Sequence, residues 1–252
     1  MIISVIIVNY KSTNLINDIE KIVSNISCLE IIVVDNSGDF ISHSNNTKVI
    51  TNKNNVGFGS ACNIGAKYSD GKFLLFLNPD IKLSHGVIYS IIENCISHEK
   101  SIVGISVVDG GRASTTLIPY GRFGITYKRD FLKSPYIDNP IFISGACMAM
   151  SKLVFESLNG FDENIFLYAE DLDLCVRARA RGISLFRDEK IEVYHIGGGT
   201  QKAKNKFNVL AKIRRLYFSF CGHYVFFRKN NGYFSSVLNA IYLSSGFIIK
   251  LP

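Results

Sequence analysis

No stretch of this 252-residue chain reaches the roughly eighteen uninterrupted apolar residues that a membrane-spanning helix needs. The opening MIISVIIVNY has neither a basic leader region nor a small-residue cleavage site, so it reads as a buried strand and not a secretory signal. Cysteine pairs at metal-binding spacing are absent. Cys28, Cys62, Cys95, Cys147, Cys175 and Cys221 stand singly, mostly in apolar runs, and read as small core residues of a protein kept in a reducing compartment. A dinucleotide fingerprint is missing as well: Gly57-Phe58-Gly59 begins like one, but Cys62 stands where the third glycine belongs. No base-stacking or groove-reading motif accompanies the positive charge, which argues against a nucleic-acid partner.

What is present is a folding composition, 47% hydrophobic with 19% charged residues. The length suits a single α/β domain with a C-terminal extension. A net charge of +7 suggests an anionic partner, such as a diphosphate or an acidic membrane surface.

Ile2–Val8, Ile31–Val34 and Phe73–Leu77 are short, nearly continuous apolar runs, the pattern of strands covered on both faces. Val49-Ile50 makes a further short strand, and Ile102–Val108 another. Helical spacing fills Asn14–Ile26, the entry after Gly57, and Leu83–Ile96. The order β-α-β-β-α-β predicts an open, mostly parallel α/β sheet, in which ligands collect at the carboxyl ends of the strands. Asn9-Tyr10, Asp35-Asn36 and Asn78-Pro79-Asp80 each end a strand. Any one of them is ordinary turn chemistry. Three strand ends of the same character point to one shared ligand site. Residues 110–140, rich in Gly, Pro, Tyr, Lys and Arg, read as a substrate-facing loop.

Further on, Asn159-Gly160-Phe161-Asp162 marks a turn, and Glu170-Asp171-Leu172-Asp173 opens a helix that continues through Arg177, Arg179 and Arg181. Carboxylates at a helix start are stabilised by its dipole, so a capped amphipathic helix with solvated arginines accounts for these residues by itself. Ile183–Phe186 and Ile191–His195 read as two strands, the second leading into Gly197-Gly198-Gly199 and a basic loop from Gln201 to Lys206. Two helical segments close the chain, Phe207–Phe227 and Tyr233–Ile249, mixing basic, aromatic and aliphatic residues. They suit an interfacial membrane hairpin, or a hairpin packed against the sheet or a partner subunit.

In combination, VIIVNYKS (5–12), VVDNSG (33–38), NKNNVGFGSACNIGA (52–66), LFLNPDI (75–81), ISGACMAMSKLVFESLNGFDENIFLYAEDLDLCVRARARG (143–182) and VYHIGGGT (193–200) resemble the family-2 inverting glycosyltransferases of the GT-A fold, in particular the bacterial rhamnosyltransferase-like group. The resemblance covers nearly all of residues 1–200. It implies a GT-A domain over 1–206 and a helical extension over 207–252 that associates with membrane or with a second copy. It also implies roles. Asp35 would bind the nucleotide's base or ribose, with Asn9 and Tyr10 lining the same pocket. Asn55, Gly57, Gly59 and Asn63 would contact the nucleotide-sugar. Asn78-Pro79-Asp80 stands at the family's DXD position with its first carboxylate replaced. Asp80 and His195 would then hold a divalent Mg²⁺ or Mn²⁺, and Asp171, with Glu170 beside it, would be the general base. The expected partners are a nucleotide-sugar donor, most simply dTDP-rhamnose, with UDP-sugars as the alternative, and a lipid-linked oligosaccharide acceptor. The expected location is cytoplasmic, peripheral on the inner face of the cytoplasmic membrane, in surface polysaccharide synthesis. A non-catalytic nucleotide-sugar-binding module is the competing reading.

Overall fold

The computed structural model describes residues 2–109, 112–113, 142–195, 209–229 and 232–249. The central sheet contains β1 (Ile3–Asn9), β2 (Leu29–Asp35), β3 (Thr47–Thr51), β4 (Phe73–Leu77), β5 (Ile102–Asp109), β6 (Arg112–Ala113), β7 (Cys147–Ser151) and β8 (Leu185–His195). Its order is β3-β2-β1-β4-β7-β5-β6, with β8 paired to β5. The first four strands are mutually parallel, in registers that align Asn9 with Asp35 and Asp35 with Thr51. The ends of β2, β1 and β4 therefore lie side by side, as the polar strand ends predicted.

Both faces of this half are covered, and this explains its continuous apolar strands. Side chains alternate across a strand. Ile3, Val5, Ile7, Ile31, Val33, Leu75 and Leu77 pack with Ile16, Ile19 and Val23 of α1 (Thr13–Val23) and with Ile88 and Ile91 of α3 (His85–Ser97). Ile6, Val8, Ile32, Val34, Leu74 and Phe76 face the other way. They meet Ala61 and Cys62 of α2 (Phe58–Lys67), Phe155 of α4 (Lys152–Ser157), and Leu174 and Cys175 of α5 (Glu170–Ala180). Ser84 caps α3 and Ser151 caps α4, each accepting a backbone N–H. The cysteines are free, and Cys62, Cys95, Cys147 and Cys175 are buried, as their apolar settings foretold.

The second half departs from the simple parallel pattern. β7 runs antiparallel between β4 and β5, pairing Leu75 with Ala149 and Val103 with Ala149 on its two edges. An apolar run does not encode strand direction, so the sequence left this open. The two strands expected over 183–195 are one, β8. Its register against β5 jumps from Ile105↔Asp188 to Ser106↔Glu192, which leaves Glu189-Lys190-Ile191 as a bulge. The polar bulge explains why the sequence reads as two strands.

Two helices follow, α6 (Val209–Arg228) and α7 (Tyr233–Ile249), packed on each other, with Ser244 Oγ 3.2 Å from Ser219 Oγ. Phe226 and Phe227 of α6 join Ile165, Ala169 and Leu172 in a third, smaller core. Residues 114–141, including most of the expected substrate loop, and 196–208, including the three glycines and the basic loop, lie outside the described residues. No helix among the described residues is long and apolar enough to cross a membrane.

Candidate active site

At the β1–β2 edge the side chains are bound tightly to one another. Asp35 has no exposed surface. Its Oδ1 accepts from the N–H groups of Ser37 (2.9 Å) and Gly38 (3.0 Å) and from Asn9 Nδ2 (3.0 Å), and its Oδ2 accepts from Phe40 N (2.9 Å). Burial works to raise the Asp35 pKa, but the donations from Phe40 and Ser37 prevail and hold it below the usual carboxylate value. Asn9, also fully buried, gives its amide to Asp35, Ser37 and Asp39 and accepts from Ser12 N (2.9 Å). Asp35 and Asn9 thus hold the 36–40 loop in shape, with Gly38 and Asp39 exposed on it. Tyr10 does reach the open side, half-exposed beyond Asn9.

Asn36 ties this edge to the glycine-rich segment, donating to Asn55 Oδ1 (3.0 Å) and Gly57 O (3.1 Å) and accepting from Asn52 Nδ2 (2.8 Å). Gly57 has φ +88°, and a Cβ there would lie 2.3 Å from Phe166 O. Only glycine fits. Gly59 is packed against Phe161, which a Cβ would meet at 3.0 Å. Asn63 clamps the turn beyond it, donating to Phe161 O and Glu163 Oε1 (each 3.0 Å) and accepting from Phe161 N (2.9 Å). Gly57, Gly59 and Asn63 therefore press the 160–168 segment onto α2. The sequence could not separate these roles, because Asn and Gly serve a tight backbone approach and a ligand equally well. Asn55 keeps its place at the pocket, within hydrogen-bond reach of the Tyr10 hydroxyl.

Past β4, Asn78 N donates to Ala146 O (2.9 Å) and Asn78 itself is half-buried. Asp80, nearly buried, has Oδ1 3.0 Å from His195 Nε2, and the backbones beside them pair through Ile81 and His195. The two metal-ligand candidates, 115 positions apart in the sequence (195 − 80), are in contact. One carboxylate and one imidazole fit a divalent cation that keeps waters and takes substrate phosphate oxygens. No group of three or more His, Cys, Asp or Glu placed to hold a metal ion occurs among the described residues.

Across from this pair is α5. Tyr168 (φ +68°) and Ala169 (φ +70°) are both left-handed non-glycine residues, a strained entry that aims the helix start. Asp171 Oδ2 accepts from Gly145 N and its Oδ1 from Leu172 N, both at 2.8 Å. Gly145 adjoins Ala146, whose carbonyl holds Asn78, so the α5 carboxylate and the Asp80 turn are anchored to neighbouring peptides. Glu170 points elsewhere: it is buried, its Oε2 has no hydrogen-bond partner, and it packs beside Gly59. Burial first, and then the Asp171 charge, push Glu170 up to about 8. Burial raises Asp171 too, against the opposing N–H donations of Gly145 and Leu172. Asp171 has those donors and Glu170 Oε2 has none, so Glu170 is the carboxyl of the pair that holds a proton more strongly.

α6 closes over this region. Gly222 lets it touch the strained entry: a Cβ there would lie 2.1 Å from Tyr168 O. Lys229 Nζ binds Asp173 Oδ1 (2.5 Å) and also Asp162, while Arg177 bonds Asp173 Oδ2 (2.7 Å) and Gly160 O (2.8 Å). Arg214 donates to the Tyr10 hydroxyl (3.3 Å). Asn36, Lys229, Gly222 and Arg214 were not singled out from the sequence. Asn36 sat in the recognised strand end, whereas Arg214 and Lys229 showed only as basic residues of the C-terminal segment, with nothing to tie them to the site.

This geometry is matched by comparison with known proteins. The description Glycosyl transferase family 2 fits residues 4–158. The chain belongs to that family. Among curated relatives of this family-2 chain, the low-salt glycan biosynthesis hexosyltransferase Agl10 of Haloferax volcanii is 31% identical over 217 residues, 77% of this chain and 66% of that protein. Rhamnosyltransferase WbbL of Escherichia coli K12 is 29% identical over 150 residues, 51% of this chain and 56% of that one. The chain thus spans less than two thirds of either relative's length. Among solved structures, TarS 1–349 of S. aureus in complex with UDP-GlcNAc superposes with a TM-score of 0.55 at 18% identity, covering 100% of this chain and 76% of that one. The mannosyltransferase PcManGT from Pyrobaculum calidifontis, in complex with GDP-Man and Mn²⁺, superposes with a TM-score of 0.57 at 14% identity, covering 98% and 74%. These likenesses confirm the α/β architecture expected of the GT-A fold.

Proposed function

We propose that this family-2 chain is an inverting glycosyltransferase that moves a sugar from a nucleotide donor to a lipid-linked saccharide in surface polysaccharide synthesis. The observation that carries the reading is Asp171. It is a carboxyl group on a strained helix start, tied through Gly145 and Ala146 to the turn that bears Asp80. Asp171 accepts the acceptor hydroxyl's proton as that oxygen attacks the anomeric carbon, and the departing diphosphate leaves on the opposite face, giving inversion in one step. Glu170, protonated, adds no second negative charge beside the base. Asp80 and His195 are assigned as holders of Mg²⁺ or Mn²⁺, which supplies Lewis-acid neutralisation of the leaving diphosphate. Tyr10, Asn55 and the 37–39 loop line the nucleotide pocket, while Asn78 stands at its boundary with the metal ligands.

Rhamnose from dTDP-rhamnose is the donor we favour, on the NPD motif and the WbbL similarity. A hexose donor is the second reading, favoured by the similarity to Agl10. We assign 1–206 to the transferase domain and 207–252 to the helical extension, whose first helix completes the catalytic face. The hairpin exposes Ile213, Tyr217, Phe234, Leu238, Ile241 and Tyr242, and Arg228 is exposed as well. Such a face suits an anionic membrane surface at the cytoplasmic side, where a lipid-linked acceptor is presented. Anionic vesicles should sediment the full chain and release a Phe234→Glu/Ile241→Glu variant; equal sedimentation, or a dimer broken by the same pair, would replace the membrane with a second copy.

The decisive assay offers a panel of dTDP-, UDP- and GDP-sugars with a polyprenyl-diphosphate saccharide, with and without EDTA. Asp171→Asn should lose about 10²- to 10⁴-fold in turnover while donor affinity stays within about twofold. Full activity in that variant would remove the base assignment.

A further inference from the structure

The strand order sets the ends of β2, β1 and β4 in a row. In the reading above, on which this inference rests, the nucleoside lies at the Asp35–Asn36 end and the metal pair at Asp80. A diphosphate joining the two must cross the end of β1, over Tyr10-Lys11-Ser12. Two negative phosphates passing there call for a cation. The strand's own loop brings Lys11, whose Nζ lies 5.7 Å from the Tyr10 ring centroid. The second cation comes from 200 residues away. Arg214 of α6 donates from Nη2 to the Tyr10 hydroxyl at 3.3 Å, and its guanidinium lies 5.7 Å from the Tyr10 ring centroid and 5.5 Å from that of Phe218.

We propose that Arg214 is a donor-diphosphate contact, so that the C-terminal hairpin completes the nucleotide-sugar site and is more than an appendage to it. A guanidinium set between two aromatic faces is orientationally restrained, and its planar fork carries N–H groups beyond the one used on Tyr10. The restraint is itself built: Phe218 stacks on Phe166 at 4.8 Å, and Phe166 O is the atom against which Gly57 is pressed. The aromatic column therefore links the glycine-rich segment, the strained entry to α5 and the arginine. Arg214 is exposed on its outer side, as a group waiting at a pocket mouth must be.

The test is calorimetric titration of the full chain with Mg²⁺ present, comparing UDP, dTDP and GDP with the corresponding monophosphates. Arg214→Met should weaken the preferred diphosphate by about tenfold or more and the monophosphate by much less, with Arg214→Lys between wild type and Met. Thermal midpoints, read alongside, should stay close together. Diphosphate affinity unchanged in Arg214→Met overturns the proposal. So does an equal loss for mono- and diphosphate with a lowered midpoint, which identifies a residue that only docks α6. A wild-type chain that binds none of UDP, dTDP and GDP overturns the transferase reading itself, and this proposal with it; binding lost only on substitution bears on Arg214 alone.

Discussion

Two buried carboxylates, Asp35 at the end of β2 and Glu170 at the start of α5, make opposite use of burial. Asp35 is surrounded by donors from Ser37, Gly38, Phe40 and Asn9, and its pKa is lowered. Glu170 has an oxygen with no partner and a pKa raised to about 8. Desolvation opposes ionisation at both sites. The difference is the hydrogen bonds offered to the charged form, which win at Asp35 and are missing at Glu170. The parallel half of the sheet spends its charge on architecture, shaping a loop that a nucleotide can meet. The half built around α5 keeps charge under-satisfied, as sites of chemistry do.

Removing the Asp35 charge should destabilise the fold at neutral pH. In Asp35→Asn one oxygen is replaced by an NH₂ group facing N–H donors, leaving buried donors unpaired at a cost of about 3 kcal/mol. Urea unfolding at pH 7 measures it. Since the folded pKa lies below the unfolded one, the wild-type advantage is present above the ordinary carboxylate value and lost as pH falls through the folded pKa, and acid titration should show the two proteins converging. If Asp35→Asn unfolds like wild type, the contrast between the two carboxylates collapses.

Glu170→Gln should have an effect of opposite sign. The folded pKa is raised, so the folded state holds a proton that the unfolded chain releases above about 4.5. Wild-type stability therefore declines as pH rises from there towards about 8. Gln removes that slope and should be the more stable variant at pH 8.5, with little difference at pH 4. Parallel pH-stability curves for the two proteins would show that Glu170 is ionised in the fold. Donor binding in Glu170→Gln should stay near wild type, because the amide reproduces the neutral carboxyl that the site already holds.

How much of this was legible in the sequence follows the same division. Strands β1, β2 and β4 are continuous apolar runs because both faces are covered, and their polar ends mark the ligand edge without any structure. Asp80 and His195 came from motif positions alone, and the fold brings them into contact. Within the glycine-rich segment legibility fails differently. The position of Gly57 is visible, but its reason, the carbonyl of Phe166, belongs to a segment more than a hundred residues later. The same holds for Asn63, whose amide holds a turn built around Phe161, about a hundred residues later.

The sequence by itself determined the α/β layering, the shared edge of strand ends and the identity of the carboxylates, because periodicity and turn chemistry are local. Tertiary structure decided the direction of β7, the continuity of β8 across its bulge, the missing donor at Glu170 against the two at Asp171, and the descent of α6 onto Tyr10 and Tyr168. Each of these depends on which distant backbone or ring comes within a few ångströms of a given atom. Hydrogen-bond supply and close approach are properties of the packed chain, and no window of residues contains them.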